Sequence, residues 1–447
     1  MNNTSAPSRE SREPTSLKRA ISGKMLFVFI LGDVLGAGIY ALVGEIAGEV
    51  GGAIWLPLVV ALVMAMLTAA SYAELVTKYP RAGGAAVFAE RAYGLPIVSF
   101  MVGFCMLAAG VTSAAGLALA FSGDYLQVFF DVPAAPAALA FLVVVALLNA
   151  RGITESLRAN LVMTVVEVSG LLVIIALAGL VLGRGDGTPS RVLEFDDGTT
   201  PALAVLGAAL LAFYSFVGFE TSANIAEEVQ DVRRVYPRAL FGALAAAGVV
   251  YVLVGLAVST VVDPEVLAES SGPLLEVVDA ADAGIPPWLF SLVALVAVAN
   301  GALLTMIMAS RLTFGMARDN LLPSALSKVL PVRRTPWAAI IATTVVAMAL
   351  SVTGSVAALA ETVVLLLLFV FVSTNIAVLV LRRDNTDRDH FRAPTILPIL
   401  ALITCAVLAT QQSAETWLRA SILLIVGAGL YFLRRVASGS KNSGVRA

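Results

Sequence analysis

Histidine is nearly missing from this chain: His390 is the single one among 447 residues. A multi-histidine metal centre is thereby excluded, and so is a histidine proton relay through an apolar interior. Cysteine is almost as scarce. Cys105 and Cys405 both sit inside apolar runs, where a thiol behaves as a small hydrophobe, so no disulfide framework or thiol motif is implied. Charged residues make up only 13% of the chain. No connection is long enough for a soluble catalytic domain; the longest, 262–287, lies between two apolar runs. No nucleophile–base set or ligand cluster falls within the runs. An enzyme embedded in a membrane is therefore disfavoured, and no cofactor and no metal are expected.

What fills the chain instead is apolar, at 59% hydrophobic residues and a mean hydropathy of +0.91. A membrane-spanning helix needs roughly 20 mostly apolar residues. Twelve candidates satisfy this: 25–46, 53–76, 97–121, 136–150, 161–182, 201–225, 241–262, 288–308, 338–352, 358–381, 396–409 and 418–433. With both termini placed in the cytoplasm, 26 of the 29 basic residues fall on the inner side, and only Arg184, Arg191 and Arg419 fall outside. That bias supports an even number of spans with both ends inside. The net charge of -2 is thus sorted by side and gives no basis for binding nucleic acid. Residues 1–24, rich in Ser, Pro and Arg, read as a disordered cytoplasmic tail. The first apolar stretch contains Asp33 and runs into further spans, so it reads as a retained helix and not a cleaved signal.

Two spans break in the middle. The first reads Leu31-Gly32-Asp33-Val34-Leu35-Gly36-Ala37-Gly38-Ile39-Tyr40, the second Phe213-Tyr214-Ser215-Phe216-Val217-Gly218-Phe219-Glu220. Hydrocarbon cannot hydrogen-bond a frayed backbone, so a break survives only where it lines a cavity or is buried in protein. Glycines at 36 and 38 let the chain leave helical geometry cheaply, and the freed N–H groups would open a half-helix whose positive end favours an anion such as a carboxylate. A small-residue packing motif, Gly32-x-x-x-Gly36, is the plainer alternative. At the second break, unwound carbonyls could receive an ammonium group, and Glu220 is an acid inside a span, costly unless it has a role. The aromatics Phe213, Tyr214, Phe216 and Phe219 are, taken singly, as readily core. Breaks in spans one and six would fit two inverted halves, which is the sequence pointer to a transporter's binding site.

Four stretches then carry a resemblance: Gly36-Ala37-Gly38-Ile39-Tyr40; Tyr79-Pro80-Arg81-Ala82-Gly83-Gly84 leading to Ala92-Tyr93-Gly94; Tyr214 through Glu220; and Ser310-Arg311 followed by Gly315-Met316-Ala317-Arg318-Asp319-Asn320-Leu321-Leu322-Pro323. In order and spacing the chain resembles the amino acid–polyamine–organocation (APC) superfamily. The resemblance implies an all-α membrane protein with the LeuT-type five-plus-five inverted repeat and two additional helices, twelve spans in total. Residues 25–383 would form the ten-helix core, 384–435 the peripheral helices eleven and twelve, and 436–447 a cytoplasmic tail. It further implies a substrate carboxylate at the backbone of Gly36, Ala37 and Gly38. An amino group would meet carbonyls near Val34, Tyr214 and Val217, with Tyr214, Phe216 and Gly218 shaping the site. Glu220 would link substrate release to protonation. Arg81 would stand near the cytoplasmic gate, pairing with Glu74 or Glu227.

One position departs from the pattern. Where proton-coupled relatives carry a lysine on the fifth helix, this chain places Glu167, and Asp33 would be near it. Two acids close together in low dielectric cannot both ionise cheaply, so one holds a proton or they share a cation, and they titrate as a pair. Asp33 and Glu167 are therefore the candidate coupling centre, for H⁺ first and Na⁺ second. The alternative is that each acid is neutral and hydrogen-bonded locally. The expected function is a proton-coupled amino acid permease of the cytoplasmic membrane, working by alternating access. An exchanger of amino acids or polyamines comes next, and a channel after it.

Overall fold

In a computed structural model of the chain, the described residues are 21–81, 83–151, 156–196, 200–331, 333, 335–384 and 389–443. Most of the tail expected over 1–24 lies outside them, as do residues 444–447. The apolar stretches become helices because a helix satisfies its own backbone where no water can. In chain order they are α1 (Gly23–Val34), α2 (Gly38–Val50), α3 (Trp55–Lys78), α4 (Pro96–Phe121), α5 (Ala134–Arg151), α6 (Ser156–Arg184) and α7 (Pro201–Tyr214). Then follow α8 (Val232–Val261), α9 (Pro287–Arg318), α10 (Trp337–Ser351), α11 (Val356–Leu381), α12 (Ile396–Thr410) and α13 (Ala414–Ser443).

Among the described residues, nine helices are long and apolar enough to cross a membrane, and α1 with α2, bent by 42° at their junction, makes a tenth. Helices α10 and α12 are shorter apolar helices at the places expected for spans nine and eleven. No strand occurs among the described residues; one parallel bridge joins Ile21 to Val229. The chain is a multi-pass, all-helical membrane protein. Helix α4 packs between α9 and α11, α3 lies along α8, and the two halves of the bent pair go to different neighbours. Half α1 lies on α6 and α8, whereas α2 lies on α7.

Three elements differ from the hydropathy reading. Helix α8 begins at Val232, well before position 241, because arginine is a good helix former and continues the helix past its apolar part. Helix α13 continues to Ser443, into the stretch expected as a tail. The connection 262–287 folds into two short helices, Pro264–Glu269 and Pro273–Ala281. Leu267, Leu274 and Val277 on these helices are fully buried. The Leu267 carbonyl presses so close to Gly44 that a Cβ there would come within 2.2 Å of it. The connection is thus a roof on α2.

The opposite end is closed by a charge pair. The Glu74 carboxylate accepts from Arg382 Nε at 2.9 Å and Nη2 at 2.7 Å, and from the Ala393 N–H at 2.9 Å. Lys78 Nζ donates to the carbonyls of Leu381 and Asp384, both at 2.6 Å. This corrects the pairing expected for Arg81. Arg81 is exposed and forms no ion pair with Glu74 or Glu227. It lies beyond the end of α3, while the end of α11 places the Arg382 fork directly on Glu74. With the Glu74 side chain only 2% exposed, removing its partner strands a buried charge, a loss of about 3–5 kcal/mol. Arg382→Met should lower the Tm of the detergent-purified protein by several degrees. The double variant Glu74→Gln/Arg382→Met should recover part of that drop.

Candidate functional site

At the first break, the N–H groups of Gly36, Ala37 and Gly38 meet no acceptor among the described residues, while Leu35 N–H closes on the Leu31 carbonyl (2.7 Å) and Ala41 N–H on that of Ala37 (3.0 Å). The N–H groups of Ile39 and Tyr40 meet none either, so five successive donors stand open at the positive end of α2. The glycines divide the work. A Cβ on Gly32 would come within 2.1 Å of Thr164 Oγ1 on α6, so Gly32 is a packing contact. A Cβ on Gly38 would lie 2.7 Å from Ser215 Cα, so the two breaks touch there. A Cβ on Gly36 would meet only its own turn, the Asp33 carbonyl at 3.5 Å. The packing reading of Gly32-x-x-x-Gly36 holds for the first glycine and not the second.

At the second break, α7 ends at Tyr214 and a 3₁₀ segment, Phe219–Glu228, continues the span. Gly218 has φ +127°, a conformation strained for any other residue, and a Cβ there would sit 2.8 Å from the Asp33 carbonyl. The N–H groups of Ser215, Phe216 and Val217 close on carbonyls three residues back, at 3.0–3.1 Å. The carbonyls of Phe216 and Val217 receive no donor among the described residues. Glu220 folds back so that its Oε2 accepts the Gly218 N–H at 2.9 Å.

Tyr251 on α8 ties the breaks together. Its hydroxyl lies 2.5 Å from the Val34 carbonyl and 3.1 Å from that of Ser215, and its ring meets Phe216 edge-on at 5.2 Å between centroids. Two of the expected site groups are thereby engaged, the Val34 carbonyl by a hydroxyl and the fully buried Phe216 by an aromatic contact. Tyr214 is held by Ser113 on α4, with 2.8 Å between hydroxyls. Ser215 Oγ is buried without a partner.

The acids sit beside the crossing. Asp33 accepts a hydrogen bond from Thr221 on the 3₁₀ segment. Glu167 Oε1 accepts from Asn300 Nδ2 on α9 at 2.9 Å, and its Oε2 has no partner. Tyr40 OH donates to the Glu167 backbone carbonyl at 2.7 Å. No hydrogen bond joins Asp33 to Glu167 among the described residues. Sequence reasoning missed Tyr251, Thr221, Ser113 and Ser215, and left Asn300 among several polar residues of the spans. For Tyr251 and Asn300 a signal was present, since a polar side chain deep in an apolar span needs a partner. For Thr221 there was none, as its carboxylate partner lies across the fold.

The sequence profile of the amino acid permease family matches residues 21–430. A branched-chain amino acid permease of Bacillus subtilis (strain 168) is 27% identical, the alignment covering 94% of this chain and 93% of that protein. The methylthioribose transporter of the same organism is 26% identical, over 94% of each chain. The low-affinity putrescine importer of Escherichia coli (strain K12) is 26% identical, over 84% of each.

The glycine environments separate packing from binding by experiment. Gly36→Ala should fold with an unchanged Tm but weaken solute binding by roughly 10-fold or more, the loss expected when a hydrogen bond to a charged group is disturbed. Gly38→Ala should lower Tm as well, because its Cβ strikes the backbone of the other break. Thermal melts and equilibrium binding on the purified variants check both.

Proposed function

Since the chain belongs to the amino acid permease family, we propose that it is a secondary active transporter of amino acids or related amines, working by alternating access in the cytoplasmic membrane. In this reading the twelve helices form the LeuT-type five-plus-five inverted repeat plus two, with both termini cytoplasmic. The observation that carries it is the crossing of the breaks, where the N–H groups at 36–40 are open on the first and the carbonyls of Phe216 and Val217 are open on the second. A zwitterion satisfies both sets. Its carboxylate takes the N–H groups of Gly36, Ala37 and Gly38; its ammonium takes the carbonyls of Phe216 and Val217, with Asp33 and Glu220 close by. Tyr214 and Gly218 shape the wall. The Val34 carbonyl enters only when Tyr251 releases it.

Coupling falls to Asp33, Glu167 and Glu220, with Arg81 at the cytoplasmic mouth. The free Oε2 of Glu167 supports proton binding first, since a carboxyl with one oxygen hydrogen-bonded and one open is arranged to accept a single proton; Na⁺ is the second choice. A second reading, exchange of amines lacking a carboxylate, is favoured by the acids at the site and by the putrescine importer among the relatives.

Uptake of a panel of radiolabelled amino acids and amines into proteoliposomes, with and without a pH gradient, tests this. Saturable, stereoselective uptake of unaltered solute is expected, and stimulated by an inward proton gradient. Glu167→Gln should bring gradient-driven uptake down to the level seen without a gradient. Unchanged proton dependence in that variant ends the coupling proposal while leaving the carrier intact.

A further inference from the structure

Away from the crossing, the start of α8 carries a charge arrangement that the fold itself does not need. Arg233, Arg234 and Arg238 occupy its first two turns. Cations there oppose the positive end of the helix, and Arg234 with Arg238 is a like-charge pair one turn apart. None of the three side chains forms a hydrogen bond or an ion pair among the described residues. Side-chain contacts thus do not offset their mutual repulsion.

The three arginines line an open cavity of about 860 Å³ between α8 and the segment that leads into α12. Its floor is aromatic, with Phe241 and Phe391 at 5.9 Å between ring centroids. Phe241 stands about 10 Å farther along the axis than Arg234, at 1.5 Å per residue. Asp231 and Asp389 also border the cavity. Three guanidinium groups against two carboxylates, with His390 also on the lining, leave a positive excess that matches a phosphodiester.

The face of α8 below the cavity says what kind of molecule fits. Arg234, Arg238, Ala245, Val249 and Leu253 recur at i, i+4, i+11, i+15 and i+19, a single face of the helix. All are exposed, Val249 at 60% and Leu253 at 42%, so inside a bilayer this face meets lipid. Cationic groups at the head of an apolar stripe have the polarity of a phospholipid laid lengthwise.

We propose that this cavity binds the phosphodiester head group of a membrane glycerophospholipid, held by Arg233, Arg234 and Arg238, with an acyl chain lying along Ala245, Val249 and Leu253. The aromatic floor receives the glycerol end. The lipid grips the helix that also carries Tyr251, and hence the link between the two breaks. Which leaflet supplies it rests on the orientation proposed above; the site does not.

Native mass spectrometry and thermal melts of the full-length, delipidated protein in detergent test the assignment. A dioleoyl phosphatidylglycerol probe should stay bound to the wild type and raise its Tm by several degrees. Dioleoylglycerol, which has the same chains and no phosphate, should do neither. Arg234→Gln/Arg238→Gln should lose both effects, and Arg234→Lys/Arg238→Lys should keep most of them, which separates lost charge from lost folding. Retention of the phospholipid by the glutamine variant at wild-type level would overturn the proposal. So would inorganic phosphate or soluble glycerophosphoglycerol stabilising as strongly as the lipid, since the occupant would then be a free anion. Solute uptake by the glutamine variant is not the readout, so this proposal and the transport reading fail separately.

Discussion

A polar backbone group inside a bilayer has no water to turn to, and every other feature of this protein answers to that constraint. Ten of its helices, α3 to α6 and α8 to α13, meet it by closing their own hydrogen bonds along their length, and α7 stops early at the second break. The two interrupted spans cannot. Their breaks are brought against each other, Gly38 on Ser215 and Gly218 on Asp33, so that each exposes its loose ends to the other and not to lipid. Only glycine permits those approaches. What stays unpaired among the described residues includes the N–H groups that open α2 and the carbonyls of Phe216 and Val217, donors and acceptors that a molecule with an anionic and a cationic end can use.

Polar side chains near the crossing obey the same rule in a different way. Asp33 leans on Thr221, Glu167 on Asn300, and Glu220 on the Gly218 N–H. Among the described residues each acid has one firm neutral donor and no basic partner. Neutral donors hold a carboxyl in place without committing it to the ionised form, as a lysine or arginine would. A buried acid that does have a basic partner, Glu74 with Arg382, lies at the far end of α3, where the ion pair closes that end. Tyr251 stands between these regimes, joining the first break to the second through a single hydroxyl shared by two carbonyls.

How much of this could be read in advance depended on distance along the chain. Membrane residence, the positions of the helices and both breaks follow from local facts: apolar run length, and glycine where a helix would otherwise continue. The free donors at Gly36, Ala37 and Gly38 follow as well, because a helix start exposes its own N–H groups wherever it lies. The pairing of Arg81 was misread for the same reason. It is near Glu74 in sequence, but the guanidinium that reaches the carboxylate comes from the end of α11, and no local pattern holds that register. The roof over α2 was hidden because its two helices are too short to stand out by hydropathy.

The sequence by itself determined that the chain crosses a membrane many times and opens two of its helices partway, since both depend on residues within a few positions of one another. Tertiary structure alone decided that the openings cross, which carbonyls Tyr251 occupies, which neutral donor holds each acid, and that three arginines at the head of α8 face one cavity. Those are pairings between groups far apart in the chain, and only the packed helices bring them within hydrogen-bonding distance.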